Sequence, residues 1–203
     1  MTMRKTKSAK LPEDPWRPTR AQLEAARAGT VRDVIDRGLR VLFVGINPGL
    51  YSAAIGHHFG RPGNRFWPAV HAGGFTPRVL SPFEEIQLLD YRLGITNIIS
   101  RATATADELT RPELQRAAKS LERKVRRYRP RFVALLGLTS YRTAFGRPRA
   151  ILGRQPERLA DATLWLLPNP SGLNAHHQPA DLARLFKELR AAVEEECSHG
   201  APP

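Results

Sequence analysis

Two segments of this chain share an unusual make-up: Gly45-Ile46-Asn47-Pro48-Gly49 and Leu167-Pro168-Asn169-Pro170-Ser171-Gly172. Each follows an apolar run, and the two asparagines, 47 and 169, stand 122 positions apart. Glycine permits unusual backbone angles and proline stiffens the path, so such loops can hold backbone N–H groups at fixed positions. Fixed donors of this kind stabilise a negative charge that develops during a reaction. An isolated Asn-Pro-Gly is ordinarily only a turn. Here the first loop runs on through Gly56-His57-His58-Phe59 and Arg61-Pro62-Gly63-Asn64-Arg65-Phe66-Trp67, and long ordered loops in compact domains tend to be functional. Phe59 sits among polar residues, off any apolar stripe. It reads either as a core anchor or as a platform for stacking a base. Phe66 and Trp67, at the start of a helix, read as core.

The elements that must carry these loops alternate between strand and helix, which points to an α/β layered fold. Arg40–Ile46, Gly94–Ile99, Phe132–Leu136 and Leu164–Leu167 are short apolar runs of the kind buried on both faces of a parallel sheet. Ser81-Pro82-Phe83-Glu84 and Thr110-Arg111-Pro112-Glu113 are capping sequences that open helices to about Leu89 and Tyr128. Thr139–Phe145 reads as a short helix, and Pro179–Glu196 as the last one, with Leu182, Leu185, Phe186, Leu189 and Val193 at helical spacing. The expected fold is a single three-layer α/β/α domain around a mostly parallel central sheet. The expected boundaries are a flexible basic arm over 1–20, the folded domain over 21–197 and a short tail over 198–203. In open parallel sheets ligands bind beyond the carboxyl ends of the strands, so the two Asn-Pro loops are expected to form the two lips of one cleft.

Composition narrows the chemistry. The 203 residues include 32 Lys and Arg against 19 Asp and Glu, a formal net charge of +13, on a chain whose apolar content is ordinary for a folded protein. A polyanion, nucleic acid first, is the expected partner. The single cysteine, Cys197, leaves no thiolate set for an iron–sulfur cluster or a cysteine zinc site. His57/His58 and His176/His177 are adjacent pairs, whose side chains diverge, so no metal is expected. No apolar run is long enough to span a membrane, and the charged opening Met1–Lys10 lacks a secretory apolar region. A cytoplasmic, nucleoid-associated protein without a membrane partner is expected.

The two Asn-Pro loops, Phe59 and Pro62–Trp67, with intermediate matches at Leu88-Leu89-Asp90-Tyr91-Arg92 and Gly94-Ile95-Thr96-Asn97, resemble the mismatch-specific uracil/thymine-DNA glycosylases of the uracil-DNA glycosylase superfamily. The likeness spans roughly Leu39 to Leu189. It implies a monofunctional, monomeric glycosylase of base excision repair, without metal or cofactor, that flips uracil, thymine or another damaged pyrimidine out of a G:U or G:T mismatch in double-stranded DNA and hydrolyses it off. Asn47 would position the attacking water and Phe59 would stack on the extruded base. Groups at Ile46 and Asn169 would hold the pyrimidine. Leu173 would wedge into the vacated stack, with Ser171, Gly172 and Asn174 beside it against the DNA. Ala175 stands where the family carries an arginine that contacts the widowed guanine, leaving Asn174 or a histidine as its replacement. Arg61, Arg65, the helix around Lys119–Arg127 and the N-terminal arm are the expected phosphate contacts, and Asp90, which reads first as a surface or structural residue, is the candidate auxiliary carboxylate.

The competing readings are a non-catalytic basic nucleic-acid-binding α/β module and a nucleotide-processing enzyme. The second lacks the phosphate loop Gly-x-x-x-x-Gly-Lys-Ser/Thr.

Overall fold

Alternate residues of β1 (Val41–Gly45) point to opposite sides of the sheet, and both sides are covered. The computed structural model describes residues 17–172 and 177–199. The expected basic arm over 1–20 therefore lies almost wholly outside the described residues, and the tail beyond 199 does too. In the described part, five strands lie in the order β2-β1-β3-β5-β4. β2 (Leu93–Asn97), β3 (Phe132–Leu136) and β5 (Ala162–Leu167) are the expected apolar runs, and they pair in parallel with β1 or with each other.

β4 (Gly153–Leu159) is an addition to the expected set and runs antiparallel along the edge beside β5. Its residues carry Arg154, Pro156, Glu157 and Arg158, and only Gln155 and Leu159 are buried. An irregular register between Arg154 and Arg158 accommodates Pro156, which an edge strand tolerates because one side needs no ladder donors. No apolar pattern was there to be read.

Val41 and Phe43 face one core, which holds α3 (Phe66–Ala72) and α6 (Pro179–His199). In it the Phe43 ring meets Phe66, Phe75 and Phe186 at centroid distances of 5.4, 5.5 and 5.8 Å. Leu42 and Val44 face the other core, under α4 (Arg111–Tyr128) and α5 (Leu138–Phe145). These are the three expected layers.

Connectivity then places the site. The chain leaves β1 toward α3 on one face and leaves β3 toward α5 on the other, so a crevice opens between their carboxyl ends. Such a divergence is where open α/β sheets bind ligands. The first loop is also shorter than it reads. Leu50–Ile55 forms α2, started by Gly49 and stopped by Gly56 in the left-handed conformation at φ 75°. A short α1 (Arg20–Ala25), capped by Thr19, packs beside it. The capping sequence at Ser81 opens a 3₁₀ helix, Pro82–Tyr91.

Candidate active site

The carboxyl ends of β1, β2, β3 and β5 surround a cavity of about 360 Å³. Ile46, Asn47, Phe59, Arg61, Asn169 and Ser171 all line it. The two Asn-Pro loops are therefore opposite walls of one cleft.

Asn47 is held by its nitrogen. Nδ2 donates to Thr103 Oγ1 at 2.7 Å, to Pro48 O at 3.1 Å and to Arg101 O at 3.2 Å. Two of those partners are carbonyls, which only accept, so the amide orientation is fixed. Thr103 passes its own proton on to Thr105 O at 2.7 Å. Donor capacity is spent on the protein, and Oδ1 is the end with which Asn47 can accept a hydrogen bond. Asn169 is held the other way round: its Oδ1 accepts from Ser171 N at 3.0 Å, an Asx turn, so Nδ2 is the end of that amide outside the turn.

Phe59 takes a left-handed backbone, φ 51°, which costs a non-glycine residue on the order of 1–2 kcal/mol. The neighbouring contacts offset it. Buried Glu85 accepts from the His58 amide at 2.8 Å and meets His57 Nδ1 at 2.9 Å. Hydrogen bonds to a charged group contribute about 1.5–3 kcal/mol each, enough to outweigh the strain. Burial pushes the Glu85 carboxyl up, and the bonds from His58 and His57 oppose that shift. On the other side, Gly60 N donates to Ser52 Oγ at 3.0 Å. The Phe59 ring then stacks on Phe66 with centroids 4.1 Å apart, leaving a half-buried aromatic in the cavity wall. Core anchor and stacking platform are thus not exclusive here.

Asn97, Thr103 and Asp107 in the wall were missed by sequence reasoning. Asn97, the last residue of β2, pairs in register with Gly45 and lines the cavity. A Cβ on Gly45 would lie 2.4 Å from Asn97 Oδ1 and 3.3 Å from the Phe59 ring, so only glycine lets both close over it. Asn97 Nδ2 lies 3.4 Å from His58 Nδ1, while His58 Nε2 lies 3.0 Å from Arg32 O. A carbonyl can only accept, so the proton belongs on Nε2 and Nδ1 accepts from Asn97. Burial pushes the His58 pKa down to about 4, which keeps the ring neutral. The sequence marked Asn97 only as part of a strand, and its place beside Gly45 comes from the strand order.

Several expectations change. Arg65 was expected on phosphate, but its guanidinium bonds the second lip, Nη1 to His177 O and Nη2 to Ser171 O, both at 2.5 Å, while its own N–H donates to Pro170 O at 2.9 Å. It braces the two lips against each other. Gly172 was expected to admit DNA, yet a Cβ there would meet Gly63 O at 2.5 Å, so the close approach it serves is to the first lip. Asp90 is exposed on the 3₁₀ helix leading into the amino end of β2, a strand's length from the cleft, and so cannot act as an auxiliary carboxylate there. Among the described residues, the carboxylate that does line the cavity is Asp107. The basic face of α4 is displaced too: the helix starts near the carboxyl edge after β2 and runs back to the amino edge before β3, carrying Arg126 and Arg127 away from the cleft. Leu173 and Asn174 lie outside the described residues. Arg61 remains exposed at the cavity wall.

Residues 32–190, most of the chain and all of this site, match the model of the Uracil DNA glycosylase superfamily. The chain belongs to that superfamily. The fold agrees with a solution NMR structure from Methanosarcina acetivorans that bears a provisional naming as a uracil DNA glycosylase. The two share 17% sequence identity at a TM-score of 0.53, over 80% of this chain and 98% of that one. The glycosylase thus shares an α/β architecture with that structure, and the cleft between Asn47 and Asn169 lies within the residues that match the superfamily. No described helix is long and apolar enough to cross a membrane.

Proposed function

We propose that this glycosylase is monofunctional and mismatch-directed, extruding uracil from a G:U pair and hydrolysing its bond to the sugar. The observation that carries the reading is the pinned amide of Asn47, with Nδ2 committed to Thr103, Pro48 and Arg101. An amide held in that sense accepts a hydrogen bond from a water and aims its oxygen at the sugar. It removes no proton. The bond from sugar C1′ to the base breaks, the electron pair leaves on the pyrimidine, and the water oxygen bonds to C1′ while its proton passes to solvent. Because the sugar becomes cation-like as the base departs, a weakly activated water suffices, and the developing charge on the pyrimidine is stabilised by fixed dipoles rather than by a mobile charge.

The remaining wall residues fit a flat, polar-edged guest. Phe59, already stacked on Phe66, supplies a platform for its face, and Asn97 and Asn169 supply amides for its edge. Preference for a mismatch follows from the cost of extrusion, a few kcal/mol and least where pairing is already poor.

The test is single-turnover base release from one panel at one salt concentration: uracil opposite guanine, opposite adenine and in single strand, with thymine opposite guanine. Free uracil should appear from G:U duplex fastest, with no loss on adding EDTA. Uracil-containing DNA left intact after long incubation with excess enzyme would end the reading; equal rates on all uracil substrates would end its mismatch part.

A further inference from the structure

More than half of the chain's net charge lies on one segment that the cleft does not use. Residues 111–131 hold nine Lys and Arg against two Glu, +7 of the +13. Two of these charges are accounted for inside the protein or beside it: Lys124 is turned to Asp33 Oδ2 at 2.5 Å and Thr96 Oγ1 at 2.7 Å, and Arg126 pairs with Glu122 at 2.6 Å. Arg127 lies over the Tyr128 ring at 5.5 Å and keeps its charge. Glu113 is held by Arg101 at 2.6 Å. Besides Arg111, Arg129 and Arg131 at the two ends of the segment, four cations form a stripe: Arg116, Lys119, Arg123 and Arg127, all exposed. At 100° per residue the stripe lies diametrically opposite the buried Leu114, Ala118, Leu121 and Val125, so it points straight away from the sheet. Its members rise in steps of three and four residues, about 17 Å in all at 1.5 Å per residue.

Three partners could neutralise such a stripe, and the structure favours one. A lipid surface would need the helix's apolar face, which is already buried in the core. A protein interface would need an apolar centre, and the exposed large hydrophobics, Val79, Phe83, Ile86 and Ile151, all lie off this helix. Evenly spaced cations on a polar ground, with no apolar anchor, match the sugar-phosphate backbone of nucleic acid. The groove of about 630 Å³ beside the helix brings Arg158 to Arg116 and Lys119, with Glu122, Phe145 and Leu159 also in its lining.

We propose that the outer face of α4 is a second binding surface for duplex DNA, separate from the cleft, so that one molecule holds two DNA segments. The geometry separates the two. The cleft opens at the carboxyl edge of the sheet, whereas the stripe faces outward from one side of it and runs toward the amino edge. A single stiff duplex would have to bend sharply to touch both, whereas a second segment needs no bending. An enzyme so built can move from one stretch of DNA to the next without first dissociating into solution. The proposal rests on the reading of the cleft as a DNA site.

The experiment loads the full chain with a short duplex, about 20 base pairs, carrying an abasic site opposite guanine, and adds a labelled undamaged duplex of the same length. Energy transfer between the two reports a ternary complex, and binding of the labelled duplex to unloaded protein is read in parallel. Ternary complex should form with the wild type. Replacing Arg116, Lys119, Arg123 and Arg127 together by alanine should abolish it, lowering the salt slope of undamaged-duplex binding by about 3–4. The same variant should release uracil from the short duplex within twofold of wild type, which also shows that it folds. Changing the three arginines to lysine should retain the ternary complex. A wild type that takes up one duplex only, a variant that still takes up two, or one long duplex bent sharply round the protein overturns the proposal. Loss of uracil release with two-duplex binding intact would instead count against the proposed activity alone.

Discussion

The cleft and the outer face of α4 are built on opposite principles. The cleft wall is built largely of amides, a ring and backbone, and Asn97 and the Phe59 ring close over Gly45, where a single added carbon would disturb them. On α4 the proposed DNA contacts are charges on long side chains, placed by nothing more than helical periodicity. Selecting and breaking one bond calls for the first kind of surface, because only fixed dipoles stabilise a transition state without reorganising. Holding a polymer of uniform charge calls for the second. The contrast predicts that removing a few atoms in the cleft changes rate and spares affinity, while removing charge from α4 does the reverse.

The largest effect expected is at Asn47. Asn47→Ala should lower single-turnover release of uracil by about 10²–10³-fold, the range for loss of one fixed hydrogen-bonding group at a reacting centre, with binding to abasic product DNA retained. The matched control is Asp107→Ala, which removes the carboxylate in the cavity wall and should cost less than tenfold. A larger loss at Asp107 than at Asn47 would mean that a charged base, and not a neutral amide, governs the water.

Next in size is Gly45→Ala. One methyl group must displace the Asn97 side chain and presses on the Phe59 ring, and small misplacements near the chemistry cost about 10²-fold. Release should fall by that order while the thermal midpoint moves little, since the affected side chains sit in the cavity wall. A near-normal rate would show that the close packing over Gly45 has no part in catalysis.

The smallest effect is a pH dependence. His58 has its pKa depressed to about 4 by burial, against an unfolded value near 6.5. Between those values the unfolded chain binds the extra proton and the folded chain does not, so stability falls as pH drops through that window, by at most about 1.4 kcal/mol per pH unit. Above the unfolded value the contribution is complete. Lys124 and His57 add to the depression, while Arg32 O and Asp33 oppose it. Buried Glu85, whose pKa is raised, titrates in the opposite sense, so the measurement is the difference in unfolding free energy between wild type and His58→Gln across pH 4–7. The difference should shrink toward acid pH; a flat difference would remove His58 as the titrating group.

What could be read in advance followed from local physics. The four parallel strands were legible because a strand buried on both faces must be apolar throughout, as Phe132–Leu136 is. β4 was not, since an edge strand with two buried residues leaves no pattern. The two asparagines were legible because Pro and Gly mark loops, and strand ends place loops. Asn97 required the strand order, which sets it beside Gly45 and which no local pattern encodes. Arg65 and Gly172 were legible as a cation and a flexible residue, but their destinations, the Ser171 carbonyl and the Gly63 carbonyl, depend on how the lips meet. Residue type declares what a group can do. Only tertiary structure declares to whom.

The bracing of the lips bears on how this enzyme can be altered. Arg65 donates to the carbonyls of Ser171 and His177, and Gly172 nests on Gly63. A designer who exchanged residues 169–177 for a relative's loop would leave Arg65 facing foreign backbone and would press any new side chain at 172 into residue 63. The transplantable unit is therefore discontinuous: residues 63–65 must travel with 169–177, as a lock travels with its key.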